Sequence, residues 1–278
     1  MGKQTKEKKY KIGLALSGGG ARGFAHPGAI KAIEDLGLKP EVLSGTSAGA
    51  LAAVLYADGY TPEEVYQLFA GKDFKEFAEI QVPKMAIFGT SGFKRFLKRI
   101  LRARNFEDLS MPVKVVTTNF DEGKSVIFEK GPIIDVLIAS CSIPIVFNPV
   151  VIDGVNYVDG ALFMNFPVSP LRNTAEKIIG VNVSPIVSKK YGKTIMGIAE
   201  RSFHYMSRTN TLLDRSLCDV LIEMEDLGDF KIFDMLKYDK MFKIGYDSAR
   251  DSLLKAVENN IFSVLCATED GEKKILIP

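Results

Sequence analysis

Histidine is nearly absent from this chain: among 278 residues there are only His26 and His204. Chemistry that leans on an imidazole base has two places to find one. Cysteine is scarce too, since Cys141, Cys218 and Cys266 are odd in number, far apart and in no metal-ligand spacing. That argues against a disulfide framework or a zinc site, and for small buried hydrophobes in a reducing compartment. Net charge is also small. With 36 basic and 34 acidic residues the formal total is +2, which leaves no overall electrostatic case for nucleic acid. Long apolar runs are missing as well: the longest, residues 48–57, is about half of the ~20 needed to span a bilayer. The basic tail, residues 1–10, leads into a strand without the apolar segment of a secretory signal, and Lys6 stands where myristoylation needs Ser or Thr. A cytoplasmic protein is expected.

What is present is alternation. Residues 10–16 are β-rich, 27–36 (PGAIKAIEDL) have helical spacing with Gly37 as a stop, 41–45 form a short strand, and 48–57 a small-residue helix. Residues 113–120 and 125–128 flank the turn DEGK as a hairpin, and 177–183 and 219–224 read as buried strands. Helical periodicity covers 132–139, 194–213 and 240–257. This pattern predicts an α/β fold, a mainly parallel central sheet with helices on both faces. No repeat or linker divides the chain. A main body over 11–260 is expected, with a helical insertion at 61–110 and a C-terminal β-hairpin at 261–278 that either edges the sheet or meets a partner chain.

Two loops carry the chemistry. The first, Gly18-Gly19-Gly20-Ala21-Arg22-Gly23, satisfies the dinucleotide pattern G-x-G-x-x-G directly after a strand. A dinucleotide site also needs Asp or Glu at the end of the second strand, and that strand ends instead in Ser44-Gly45-Thr46-Ser47-Ala48-Gly49. Gly45 to Gly49 is G-x-S-x-G between a strand and a helix, the setting of a nucleophile elbow. Both loops fall at the carboxyl ends of consecutive strands, so they can share one site. Ser47 is then the candidate nucleophile, and backbone N–H groups of the glycine loop are candidate oxyanion donors. The same N–H geometry would also cradle a phosphate.

A base is harder to read. The order Ser47, Asp159, His204 matches a hydrolase triad. On a helical projection, however, Ile195, Ile198, Ala199, Phe203, Met206 and Leu213 form one stripe, expected to pack inward, and His204 lies opposite on a solvated face. His26, in AHPG just after the glycine loop, either braces that loop or is a satisfied structural histidine. Asp153-Gly154 is a hairpin turn. Asp159-Gly160, directly after a strand, is either another turn or the missing base.

Four blocks in order now resemble the patatin-like phospholipases, with the short bacterial members closest: Gly18 to Gly23, then Gly45 to Gly49, then Ala139-Ser140-Cys141-Ser142-Ile143-Pro144 with Phe147 and Pro149, then Asp159-Gly160-Ala161 with Asn165 and Pro167. The resemblance covers residues 14–172. It implies a three-layer sandwich, a Ser47–Asp159 dyad without catalytic histidine, an oxyanion hole at Gly18, Gly19 and Gly20, and hydrolysis of a phospholipid, lysophospholipid or other acyl ester through an acyl-serine. No cofactor and no metal is implied. Ala161 stands where many members have Gly, and Pro27, where a hydrophobe is common, is expected to shift the start of the first helix. An aspartate of ordinary pKa is a poor base for a serine hydroxyl, so Asp159 is expected to be desolvated.

Arg22 is either a support of the glycine loop or a contact for lipid phosphate. The segment SGFKRFLKRILRARN, residues 91–105, puts Phe93, Phe96, Leu97, Ile100 and Leu101 on one arc and Lys94, Arg95, Lys98, Arg99 and Arg102 on the other. It is either a packed helix with a solvated cationic face or a peripheral membrane contact, on the inner leaflet. Lys3, Lys6, Lys8 and Lys9 of the tail would add attraction to the same surface. Two other functions share these residues: acyl transfer to an alcohol by the same dyad, and a phosphate- or phospholipid-binding regulator in which Ser47 is inert. A homo-oligomer is compatible with either.

Overall fold

The computed structural model describes the backbone of residues 9–72, 79–80, 86, 88–185, 193–232, 235–262, 264–267 and 273–276. Most of the basic tail, part of the 61–110 insertion and the turn of the final hairpin lie outside them.

An eight-stranded sheet forms the centre. Its parallel part runs β10 (Val220–Glu223), β9 (Ala175–Asn182), β1 (Tyr10–Leu16), β2 (Val42–Thr46), β5 (Val113–Asn119). Three antiparallel strands complete it: β6 (Lys124–Phe128) and β8 (Val155–Asp159) on β5, and β7 (Val150–Ile152) on β8. The expected mainly parallel α/β fold is what is observed. Strand β2 and residues 13–16 of β1 are buried on both faces because helices cover each side.

Alternation across the sheet sorts the core into two unequal layers. Leu14, Leu16 and Leu43 point into the thicker one, with α1 (Ala25–Asp35), α2 (Ala48–Ala57), α5 (Ile133–Ser140) and α8 (Tyr238–Glu258). Ala15, Val42 and Ile178 point into a small one, closed by Phe166, Val168 and Leu171 around the short α6 (Ser169–Arg172). The long α7 (Ile195–Arg215) lies over the loop that follows β8.

Several boundaries depart from the sequence reading. Helix α1 begins two residues before Pro27, which sits in the first turn where its missing N–H is no loss. The basic helix, α4 (Ser91–Ile100), stops short of residue 105 because the N–H groups of Arg102 and Ala103 donate to the Asp58 carboxylate, each at 2.8 Å. Its apolar arc is spent on the core, with Phe96, Leu97, Ile100 and Leu101 all buried. It therefore offers no apolar face to a membrane. Together with α3 (Pro62–Phe69), which a Thr61–Glu64 capping box starts, it packs on the main core. Two further pairs add nothing to the central sheet: the short β3 (Glu79–Ile80) with β4 (Phe88–Gly89), and the C-terminal β11 (Val264–Ala267) with β12 (Lys273–Leu276). Among the described residues no helix is long and apolar enough to cross a membrane.

Helices α1 and α8 touch through glycines. A Cβ on Gly28 would lie 2.1 Å from the Phe242 carbonyl oxygen, and one on Gly245 would lie 2.0 Å from that of Ala25. Gly245→Ala should therefore destabilise the protein by about 1–3 kcal/mol through overpacking, where the same change in an exposed helix would gain up to about 1 kcal/mol. Urea unfolding of the variant against wild type measures the sign.

Candidate active site

Strand β5 brings the two ends of the site together. Thr46, the last residue of β2, lies opposite Val116, and Asp159, the last of β8, lies opposite Thr117. Because β6 occupies the other edge of β5 along Val115 to Asn119, β2 and β8 share one edge and meet end to end. Ser47 and Asp159 thus come together from opposite chain directions.

The backbone of Ser47 is strained, at φ 53 and ψ −121, which costs on the order of 1–3 kcal/mol. Fixed partners hold it there. Its N–H donates to Ser140 Oγ at 2.9 Å, and the Ser140 hydroxyl donates to the Val116 carbonyl at 2.7 Å, so β5 anchors the elbow through one side chain. Thr46 Oγ1 donates to the Met164 carbonyl at 2.8 Å. The turn is closed by Gly49, whose added Cβ would lie 2.2 Å from the Leu16 carbonyl oxygen. The strain raises the side chain at the positive end of α2.

Asp159 is fixed on all sides but one. Its N–H donates to the Ser142 carbonyl at 2.9 Å, Thr118 Oγ1 donates to its carbonyl at 2.9 Å, and its Oδ1 accepts the Ala161 N–H at 2.9 Å. Oδ2 is buried and has no partner in good hydrogen-bond geometry. Burial pushes this carboxyl up to about 7, against the pull of the Ala161 N–H and of the nearby Ser47 hydroxyl, both of which favour the charged form. The desolvation expected of a serine-activating carboxylate is present.

The glycine loop is held open by a latch that the sequence did not disclose. After β10 the chain passes over the loop: the Ile232 carbonyl accepts the Ala21 N–H at 2.7 Å and the Phe230 carbonyl accepts Arg22 Nε at 2.9 Å. Arg22 is buried at 6% exposure, the geometry of a loop support. Gly20 has φ +58, and an added Cβ would lie 2.4 Å from the Ile232 oxygen. Three N–H donors were expected, and the structure leaves two. The Gly18 N–H already donates to the Asn165 carbonyl at 2.9 Å, a bond that ties the glycine loop to the loop after Asp159. Among the described residues, the N–H groups of Gly19 and Gly20 meet no acceptor. His26 is fully buried with Nε2 on the Ser17 carbonyl at 2.8 Å, so it braces the loop's entry. Desolvation lowers its pKa to about 4, which keeps it neutral.

Two cavities open on Ser47. One is an apolar cleft whose walls include Phe24, Leu51, Phe69, Phe93 and Phe147. The smaller one holds Asp159 with polar Asn165, Ser184 and Ser207. Cys141 lines the apolar cleft beside Ser47, and burial raises its thiol well above the usual range. Ser140 and Asn165 were visible in the sequence only as motif members, and their bridging roles follow from contacts across the sheet. Ser184, Ser207 and the 230–232 latch had no local signal.

Helix α7 is turned from the expected orientation, with Phe203 the one member of the stripe among the described side chains that still faces the site. Ser207, Thr211 and Asp214 face inward and are buried, while Ile198, Met206 and Leu213 are exposed. The reason is what the helix packs on: Asn210 Nδ2 donates to the carbonyls of Ala161 and Leu162 at 3.0 and 3.1 Å, and Asp214 accepts the Ser169 N–H at 3.2 Å. A surface of open backbone groups needs a polar helix face. The side chain of His204, on this helix, lies outside the described part. No group of His, Cys, Asp or Glu among the described residues is arranged to hold a metal.

The fold and site define an α/β protein with a strained serine elbow facing a glycine loop. Residues 14–172 match the sequence model of the patatin-like phospholipases, and the chain belongs to that family. It is 25% identical over 289 residues to lysophospholipase NTE1 of Kluyveromyces lactis, covering 92% of this chain and 20% of the yeast protein. The chain thus spans about a fifth of that relative's length. An uncharacterized protein of Acanthamoeba polyphaga mimivirus, R571, is 25% identical over 294 residues, covering 92% of this chain and 98% of that protein. Among solved structures, VipD from Legionella pneumophila shares the fold, with a TM-score of 0.51 at 14% identity, over 89% of this chain and 67% of that one.

The raised pKa of Asp159 has a thermodynamic sign. Between about pH 4 and 7 the unfolded chain has released this proton and the folded one retains it, so stability falls as pH rises through that window and stays lower above it. Asp159→Asn should therefore be more stable than wild type at pH 8, by up to about 4 kcal/mol, with the advantage vanishing near pH 4. Thermal melts of both proteins across that range test it.

Proposed function

We propose that this chain hydrolyses acyl esters of lipids, phospholipid or lysophospholipid, with Ser47 as nucleophile and Asp159 as base. The observation that carries the reading is the buried carboxyl of Asp159 beside a strained serine elbow, its Oδ2 met among the described residues by no group except the nearby Ser47 hydroxyl. Ser47 Oγ attacks the ester carbonyl carbon as its proton passes to Asp159. The oxyanion that forms is met by the N–H groups of Gly19 and Gly20, rigid donors that need no reorganisation. When the C–O bond breaks, the leaving alcohol takes the proton from Asp159. Water then attacks the acyl-serine, Asp159 accepts its proton, and the fatty acid departs as Ser47 regains a hydrogen. The apolar cleft receives the acyl chain and the polar cavity the alcohol side. The family relatives named lysophospholipase support the substrate class. Residues 11–260 act as the catalytic body, with 61–110 supplying part of the cleft wall through Phe69 and Phe93.

Hydrolysis of a short-chain p-nitrophenyl ester tests this. Ser47→Ala and Asp159→Asn should each lose at least about 10³-fold in kcat/KM, and His204→Ala should retain near wild-type activity. A dead His204→Ala with an intact fold would replace the dyad by a triad. Wild-type kcat/KM should rise with pH and reach half its plateau near pH 7, since only the ionised Asp159 accepts a proton. Gly20→Ala, which would displace the Ile232 latch, should lower kcat by about 10²-fold or more with a smaller change in KM.

A further inference from the structure

The outer face of α7 exposes several large apolar side chains, with Ser202 also exposed among them. Ile198, Tyr205, Met206, Leu212 and Leu213 are exposed at 54%, 48%, 48%, 52% and 79%. At 100° per residue they fall within one third of the helix circumference, opposite buried Ser207, Thr211 and Asp214. A soluble surface helix normally carries the opposite pattern, so five large apolar side chains in one stripe mark an interaction surface. Its place is informative, since Phe203 and Ser207 of the same helix line the cavity that holds Asp159.

Two other segments at the site present single apolar side chains outward. Ile145, 57% exposed, follows Ile143, which lines both cavities, and Leu236, 80% exposed, follows Met235, which lines the cleft. Cations accompany them. Lys193 precedes α7, Arg201 lies over the Tyr205 ring at 4.5 Å, and around Leu236 the sequence places Lys231 and Lys237 together with Asp234 and Asp239. Exposed apolar side chains with Lys193 and Arg201 beside them complement a lipid surface with anionic headgroups.

We propose that the α7 stripe, with Ile145 and Leu236, is the surface by which this chain seats on an anionic lipid bilayer, holding the Ser47 cavities against it. The choice of a lipid surface rests on the hydrolase reading above; the exposed stripe itself does not. Lipid contact thus moves from the basic helix α4, whose apolar arc is buried, to α7.

The test is co-sedimentation of the full chain with phosphatidylcholine vesicles containing an increasing share of phosphatidylglycerol. Wild type and Ser47→Ala should bind alike and more tightly as the anionic share grows. The triple variant Ile198→Ser, Leu212→Ser, Leu213→Ser should bind at least about 10-fold more weakly while hydrolysing the soluble p-nitrophenyl ester at the wild-type rate. Leu213→Ser alone, at the most exposed of the five positions, guards against misfolding of the triple and should weaken binding about 3-fold. Wild type that ignores vesicles, or single and triple variants that bind as wild type does, would overturn the proposal. So would a wild-type dimer in sedimentation velocity that the triple variant dissolves without any change in vesicle binding, because a second copy would then cover the stripe. If Ser47→Ala retains ester hydrolysis, the hydrolase reading fails, and loss of vesicle binding in the triple variant would still uphold the surface.

Discussion

The edge of β5 is the constraint on which the site depends. A strand edge has room for one partner at a time, and here two share it in sequence, β2 up to Val116 and β8 from Thr117. Backbone hydrogen bonds are directional and closely spaced, so this pairing sets where Ser47 and Asp159 emerge to within a fraction of a residue. Side-chain bonds then lock the junction: Ser140 bridges the elbow to Val116, and Thr118 holds the Asp159 carbonyl. Ser47 and Asp159 are positioned by a ladder and not by the two loops that display them.

What this arrangement forfeits in stability lies at the site itself. Ser47 keeps a left-handed backbone angle and Asp159 a buried carboxyl with one oxygen unsatisfied. Neither helps the chain fold. Under the proposed mechanism both serve to hold a hydroxyl beside a desolvated carboxylate, which at a pKa of about 7 accepts a proton far more readily than an ordinary one. The surrounding polar contacts, from Asn165 on Gly18 to the Ile232 carbonyl on Ala21, restrain a loop whose glycines would otherwise be mobile.

Much of this was legible in the sequence, for a local reason. A glycine loop, an elbow and an Asp-Gly after a strand are demands on backbone shape, and such demands are written in consecutive residues. Helix α2 is observed at Ala48–Ala57, the span its small residues predicted. Contacts between distant segments left no such trace: the 230–232 latch, the use of the Gly18 N–H by Asn165, and the bridge through Ser140 all join residues far apart in the chain. Helix α7 shows a subtler limit. Periodicity revealed its apolar stripe but not its direction, because which face turns inward depends on what lies beneath, and beneath this helix lie open carbonyls of Ala161 and Leu162.

The end-to-end meeting of β2 and β8 also bears on how this chain can change length. Insertions between Glu122 and Gly123 in the turn from β5 to β6, or at the Asp153-Gly154 turn between β7 and β8, lie outside the ladder and leave its register untouched. A single residue gained or lost inside Val113–Asn119 would slide one partner past the other by about 3.3 Å and turn alternate side chains to the opposite face. Tolerance to insertion and deletion is therefore sharply uneven. The two turns at the far ends of these hairpins can change length, while the seven residues of β5 need a fixed count.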